Sequence, residues 1–187
     1  GAVPGCVLEV TVGAIMVATG FYVFDAKAKG SLGYGRYPNV LTGLDLEQVF
    51  TREGYLRLPQ NGKEPQNIAF IQCVGSRDKG HVYCSQVCCK YAMKLAGLIK
   101  YQNPDTRVTI FYIDLQTAGK GFAQFYEEYK ESIRFVRGVP VEIVQTVSGE
   151  LEVKFEDISQ GKVCRDTFDL VVLSVGISPG RNTWDLA

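Results

Sequence analysis

The spacing of hydrophobic and polar positions changes several times along this chain, and each change marks an element. From Cys6 to Gly20 the residues are mostly small and β-branched, which predicts a strand, a short turn and a buried strand ending in Ala18-Thr19-Gly20. Residues 25–66 keep no period and are rich in Gly, Pro and Tyr, except that Asp45 to Phe50 predicts a short helix capped by Thr42 or Asp45. A continuous apolar run, Asn67 to Gln72, predicts a strand that closes on Cys73. A helical pattern follows from about Ser85 to residue 102, where Asn103-Pro104 stops it. Arg107 to Ile113 predicts a strand, Gly119-Lys120-Gly121 a loop, and residues 121–133 a helix whose stripe of Phe122, Phe125, Tyr126 and Tyr129 belongs to a core. Val141 to Val147 alternates as a strand does. Ser148-Gly149-Glu150 then turns the chain into a second strand, Leu151 to Glu156. Phe168 to Val175 predicts a last buried strand, leading into Gly176-Ile177-Ser178-Pro179-Gly180.

Strand–helix–strand–helix–strand, a hairpin and a closing strand predict an α/β, Rossmann-like domain of the nucleotide-binding type, with a parallel sheet and an antiparallel hairpin. With 187 residues, the chain can bury one good core, or one domain and part of another. The net charge is zero with Lys and Arg scattered, so no basic stripe offers itself to nucleic acid or anionic lipid. No apolar run approaches the ~20 residues of a membrane span. Gly1 to Thr19 lacks the basic start of a signal peptide, so a cytoplasmic location is expected. Gly1 opens within a strand-rich stretch and Ala187 follows a strand-to-loop turn, and the chain is expected to be an internal piece of a longer protein.

The chemistry concentrates in four of the six cysteines: Cys73, Cys84, Cys88 and Cys89. The first ends a strand and the other three open a helix, at the corner where a nucleotide-binding βαβ unit carries its phosphate-binding glycines. If helical, Cys84 and Cys88 lie on one face, with Cys89 about 100° further round. A four-cornered iron–sulfur cubane suits so spread a set, and the helix N-terminus favours an anionic cluster. Zinc also takes four thiolates, though its sites usually pair short C-x-x-C knuckles. Thiol redox chemistry and plain buried thiols stay open on spacing alone. Cys6 and Cys164 lie outside the run. No catalytic triad or acid–base pair stands out.

Phe70-Ile71-Gln72-Cys73-Val74-Gly75-Ser76-Arg77-Asp78, with Tyr83-Cys84-Ser85-Gln86-Val87-Cys88-Cys89 and Tyr91-Ala92, resembles the signature of the family formed by the A subunits of heterodisulfide reductase. Gly33-Tyr34-Gly35-Arg36-Tyr37-Pro38 and Arg134-Phe135-Val136-Arg137-Gly138 support the resemblance. It implies a core similar to thioredoxin-reductase-type flavoproteins, with a three-layer pyridine-nucleotide-like domain inserted into an FAD domain. On that template residues 1–64 are partial FAD-domain strands and a connecting segment, 65–173 the inserted domain, and 174–187 the return to the FAD domain. The resemblance implies a [4Fe–4S] cluster on Cys73, Cys84, Cys88 and Cys89, and electron relay between flavin and iron–sulfur clusters. It also implies partners among the other subunits of such a complex and redox donor proteins, in the cytoplasm of an anaerobe. Ala18, Thr19 and Gly20 match the segment that packs near FAD, and Gly176 and Pro179 match the turn back towards the FAD domain. Lys120, between its glycines, is a candidate to face the flavin or a phosphate.

The departures matter as much. No G-x-G-x-x-G and no C-x-x-C-x-x-C-x-x-x-C ferredoxin run is present. Tight FAD binding by this piece alone and tight NAD(P) binding are therefore not expected. The alternative to electron transfer is a zinc-bound or metal-free assembly module on the same fold.

Overall fold

The computed structural model describes residues 8–116, 119–180 and 183. In chain order the elements are β1 (Phe21–Val23), β2 (Val40–Thr42), α1 (Gly43–Glu53), β3 (Asn67–Val74), α2 (Cys88–Gln102), β4 (Arg107–Tyr112) and α3 (Phe122–Tyr129). Strands β5 (Arg134–Gln145), β6 (Leu151–Asp157), β7 (Lys162–Phe168), β8 (Leu170–Val175) and β9 (Ile177–Pro179) complete the list.

Seven strands form one sheet in the order β2-β8-β3-β4-β5-β6-β7. The first five run parallel, and β6 and β7 continue as an antiparallel meander. The central strand β3 is buried on both faces, so its sequence is a continuous apolar run rather than an alternation. Its even positions Ile68 and Phe70 face the helices, in a core with Met93, Ala96 and Ile110. Its odd positions Ala69 and Ile71 face the opposite layer, with Phe111, Ile143, Phe155 and Phe168. The meander covers that second face because β5 is bent: its pairing with β6 slips between Pro140 and Glu142, and Gly138 lies so close to β6 that a Cβ there would sit 2.3 Å from the Glu156 carbonyl oxygen. The aromatic pair Phe111–Phe155, with ring centroids 4.6 Å apart, seals the layer. Helices, parallel sheet and curled meander are the three layers expected.

Local signals explain the helices. Thr42 caps α1 through a reciprocal box with Asp45, and Gly54 closes it in the left-handed region at φ 74°. Of the two cap candidates, Thr42 is the cap and Asp45 completes the box. Helix α2 lays Ala92, Met93, Ala96 and Ile99 on β3 and stops at Asn103, ahead of Pro104.

Several expectations need correcting. Residues 8–20 form no strand; Leu8, Ile15, Met16 and Val17 stand exposed, because no strand of the described residues lies beside them to accept their ladder hydrogen bonds. Cys6 lies outside the described residues. β2, β7 and β9 form where no strand was expected. Each takes its partner from a remote strand: β2 from β8, β7 from β6, and β9 from β1. As a result the unit packed on this sheet begins well before residue 65. Ala26 and Val40 already lie in its core and α1 packs on its helical face.

Truncating Phe70, fully buried between strands and helices, should cost about 3–5 kcal/mol, whereas Thr42→Ala should cost only about 1 kcal/mol. Both are read as denaturant midpoints at unchanged slope. A Phe70→Ala cost no larger than that of the cap would contradict its central place.

Candidate metal centre

The site begins where β3 stops being regular. Up to Ile71 the strand pairs in step with Leu173 of β8 and Phe111 of β4; the register with β8 then shifts before Val74. Cys73 takes a positive φ of 61°, a conformation that costs a residue with a Cβ. Arg77 and Gln86 do the same at 58° and 60°, so all three non-glycine residues with positive φ among those described fall in this one corner. Gly75 has φ 72°, and a Cβ there would fall 2.1 Å from the Phe24 ring. Glycine is required twice over.

The loop that follows is held mainly by its own backbone. The N–H of Arg77 donates to the Tyr83 carbonyl at 3.2 Å and the Ser76 hydroxyl donates to the same oxygen at 2.8 Å. Asp78 accepts from the N–H groups of Gly80 and His81, both at 2.9 Å, and pairs with Lys29 at 2.7 Å. These bonds return the chain to Cys84 beside the strand it left. His81 packs edge-on between Phe24 and Tyr83, as a loop residue rather than a member of the thiol group.

Helix α2 starts at Cys88, three residues later than the sequence pattern predicted. Cys84 therefore lies in the loop and not one turn below Cys88 on a helix face. The left-handed Gln86 causes the delay, and its N–H turns back to donate to the Cys84 sulfur at 3.3 Å. Cys88 and Cys89 are the first two helical residues, and Val87 caps the helix with no side chain. The free N–H groups of that first turn and its positive dipole end thus face the sulfurs. From β8, the Val175 carbonyl accepts from the Cys88 thiol at 3.5 Å; from the loop after β4, the Asp114 carbonyl accepts weakly from Cys89 at 3.9 Å.

The four cysteines expected to act together are brought within electrostatic reach of one another. Burial, reinforced by the charges of Cys89, Cys84 and Cys88, pushes the Cys73 thiol up to about 12, against the pull of Arg77. Burial and then Cys89 push Cys88 up to about 11. Burial also raises Cys89, opposed by the N–H of Gln116. Four thiolates crowded together cannot all stay ionised unless a cation joins them. The guanidinium of Arg77 is part of the answer, held by an ion pair with Asp114. All five described cysteines are free. Among the described residues, no three His, Cys, Asp or Glu side chains converge closely enough to hold one metal ion.

The donor set fits an iron–sulfur cluster. It is purely thiol, it is half-buried, and N–H groups of Gln86 and Gln116 point at sulfur. A cubane gives each thiolate its own iron and so asks for wider spacing than a single zinc. Cys88 also borders an apolar cavity of about 320 Å³ walled by Phe21, Val23, Leu44, Val87 and Tyr91, of which Phe21, Val23, Leu44 and Val87 are themselves exposed.

The other candidate residues divide. Gly176 adjoins the thiols: its N–H donates to Val74 at 2.8 Å, its carbonyl accepts from Phe24 at 2.9 Å, and a Cβ would strike Ser76 at 2.9 Å. Pro179 pairs with Phe21 across the β1–β9 ribbon. Ala18, Thr19 and Gly20 lead into that ribbon and are exposed; the Thr19 hydroxyl shares a hydrogen bond of 2.8 Å with Thr183. Incoming and outgoing chain thus lie side by side. Lys120 is exposed on the turn before α3 and is not drawn to the thiols. The residue pattern gave no role to Arg77, Asp114 or Ser85, although Ser85 ties the cysteine loop to the ribbon by accepting from the Ile177 N–H at 2.9 Å. Arg77 and Ser85 stand among the signature residues around the cysteines, whereas Asp114 carried no signal in the sequence.

The chain is 46% identical over 180 residues to the A subunit of the H2:CoB-CoM heterodisulfide,ferredoxin reductase of Methanothermobacter marburgensis, an alignment covering 92% of this chain and 27% of that protein. It is 44% identical over 182 residues to one of two iron-sulfur A subunits of CoB–CoM heterodisulfide reductase in Methanopyrus kandleri, covering 92% and 28%. The chain thus spans little more than a quarter of these relatives. Among solved structures, an ornithine N-hydroxylase of Kutzneria sp. 744 with reduced FAD and NADP+ superposes with a TM-score of 0.51 at 11% identity, covering 78% of this chain and 42% of that one. Thioredoxin reductase of Lactococcus lactis gives a TM-score of 0.47 at 18% identity, over 80% and 40%. No family model matches.

In the metal-free, reduced protein, a raised thiol pKa means that the folded state holds its protons more tightly than the unfolded one. Stability should be full below the ordinary thiol value of 9.0 and fall as pH rises towards about 12. Chemical denaturation across that range should show the decline, and Cys73→Ala should lessen it, leaving the part that Cys88, raised to about 11, contributes. A decline as steep as the parent's would place its cause elsewhere than Cys73.

Proposed function

Since this chain is homologous over nearly its whole length to one segment of the heterodisulfide reductase A subunits, we propose that it holds a [4Fe–4S] cluster on Cys73, Cys84, Cys88 and Cys89 and relays single electrons through it. The observation that carries the reading is that these four thiols, from a broken strand end, a hydrogen-bonded loop and the uncapped start of α2, come within electrostatic reach of one another. When bound, the cluster supplies reversible one-electron chemistry, taking one electron from a donor and passing one on. The protein's part is to present the four thiols together, with Arg77 and backbone N–H groups opposing the rise that burial imposes on them, and to leave them within reach of a redox partner.

Each element contributes to that task. N–H groups of Gln86 and Gln116, the dipole of α2 and the Arg77 guanidinium all favour negative charge on the sulfurs, and so favour the reduced state. The Arg77–Asp114 pair fixes that guanidinium beside the site. The ribbon of β1 and β9, with Ala18, Thr19 and Gly20 before it and Gly176 and Pro179 in or beside it, is the side from which an FAD domain would approach; Lys120, exposed before α3, is the residue left to face a flavin or phosphate. Residues 65–173 would then be the heart of an inserted domain whose sheet and core also take in Ala26, β2 and α1 from the 1–64 segment, with the rest of 1–64 and 174–187 leading to an FAD domain. Other subunits of a heterodisulfide-reductase-like complex are the partners we propose, in the cytoplasm of an anaerobe. Among the described residues no helix is long and apolar enough to cross a membrane.

Protein purified and reconstituted without oxygen should be brown and carry about four irons and matching sulfide per chain. Cys88→Ser should lower the iron content and change the spectrum of the reduced protein, while Cys164→Ser should change neither. Zinc in place of iron after reconstitution, or full iron in the Cys88 variant, would remove the assignment and favour an assembly role.

A further inference from the structure

Gln72 is the residue just before Cys73, and it is 6% exposed. Both polar atoms of its side-chain amide are buried with no hydrogen-bond partner, and no other buried side chain among the described residues is in that position. An amide shut away from water without a partner costs free energy, and nearly every such group in a folded protein is satisfied. An apolar residue of the same shape would fill this place on the central strand without that cost. The amide therefore calls for a partner the protein side chains do not supply.

The strand shows where that partner lies. Ile68 and Phe70 point to the helical face, and Gln72 continues their row. It stands one residue beyond the last regular pairs, Ile71 with Leu173 and Ile71 with Phe111, at the carboxyl edge of the sheet. Above that face runs α2, whose first turn carries Cys88 and the buried Cys89. Gln72 thus sits beside the bulge that aims Cys73, in the row of the strand whose face α2 covers. An Nε2–H group there can donate to sulfur, as the backbone N–H groups of Gln86 and Gln116 do from the rim.

We propose that the Gln72 side chain is a positioning residue for the cluster: its amide N–H donates a hydrogen bond to a cluster sulfur from beneath and makes the site easier to reduce. The inference rests on the cluster assignment above and goes further, because it gives a role to a residue that is not a ligand. A donor aimed at sulfur stabilises the charge that one added electron brings, so its loss should shift the couple towards the oxidised form.

The test uses this chain reconstituted with iron and sulfide without oxygen, titrated redox-wise and followed by electron paramagnetic resonance. If the parent protein takes up no cluster, the assignment itself fails, a result distinct from those that follow. With iron content unchanged, Gln72→Met should make reduction about tenfold less favourable, ~59 mV for a one-electron couple. An unchanged potential in a fully loaded Gln72→Met protein overturns the proposal. Should that variant lose its iron, the parent site decides. Nitrogen-15 is placed in glutamine side-chain amides, in a Gln86→Asn, Gln116→Asn background that removes the other labelled glutamines of the corner. A hyperfine coupling from the labelled amide to the reduced centre is expected, and its absence overturns the proposal.

Discussion

The structure turns on one break in its central strand. β3 is buried on both faces and paired on both edges, so up to Ile71 it has no freedom. At Gln72 and Cys73 the register slips and the backbone turns left-handed, at the carboxyl edge of the sheet and opposite the first turn of α2. In parallel α/β sheets this edge is where ligands bind, because helix N-termini and strand ends converge there. Here the corner presents thiols instead of the glycines that would cradle a phosphate. The rigid sheet aims Cys73, and everything else in the site is arranged around it.

Holding four thiols together is electrostatically unfavourable, and the corner is built to offset that. Burial and mutual repulsion raise Cys73, Cys88 and Cys89, while Arg77 and backbone N–H groups draw them down. Two further backbone distortions, at Arg77 and Gln86, bring the guanidinium and an N–H donor to the sulfurs. Strained residues clustered at one place are tolerated when the surroundings over-determine them, and the hydrogen bonds donated by Ser76 and accepted by Asp78 and Ser85 do so here. A cationic cluster core would reverse the electrostatic penalty and turn the crowding into binding.

The β1–β9 ribbon links this corner to its surroundings. Chain arriving at Phe21 and chain leaving at Ile177 pair as neighbours, and Phe24 and Val74 both bond to Gly176. The ribbon is tied in turn to the cysteine loop through Ser85 and through Tyr83, whose hydroxyl meets Ser178 at 2.6 Å. Movement of the ribbon relative to the sheet would therefore be felt at the thiols. The electron relay proposed above for this corner, with the strand edge as scaffold, agrees with the similarity to one segment of the A subunits of heterodisulfide reductases.

What the sequence determined by itself was whatever local chemistry enforces. The apolar run of β3, the stop of α2 at Asn103-Pro104, the turn after Gln145 and the gathering of four cysteines at one strand-to-helix corner could all be read there, because burial on both faces, proline sterics and cysteine spacing leave their mark on neighbouring residues. Tertiary structure decided the rest. β2, β7 and β9 exist because remote strands offer them hydrogen bonds, and residues 8–20, though β-rich in composition, stay unpaired for want of such a neighbour. Nothing in the spacing of Cys84 and Cys88 disclosed that Gln86 would turn left-handed and delay the helix, since that conformation is imposed by the closed loop. The buried, unpartnered amide of Gln72 is likewise a fact of packing: polar in sequence, it is carried into the interior by the strand on either side of it.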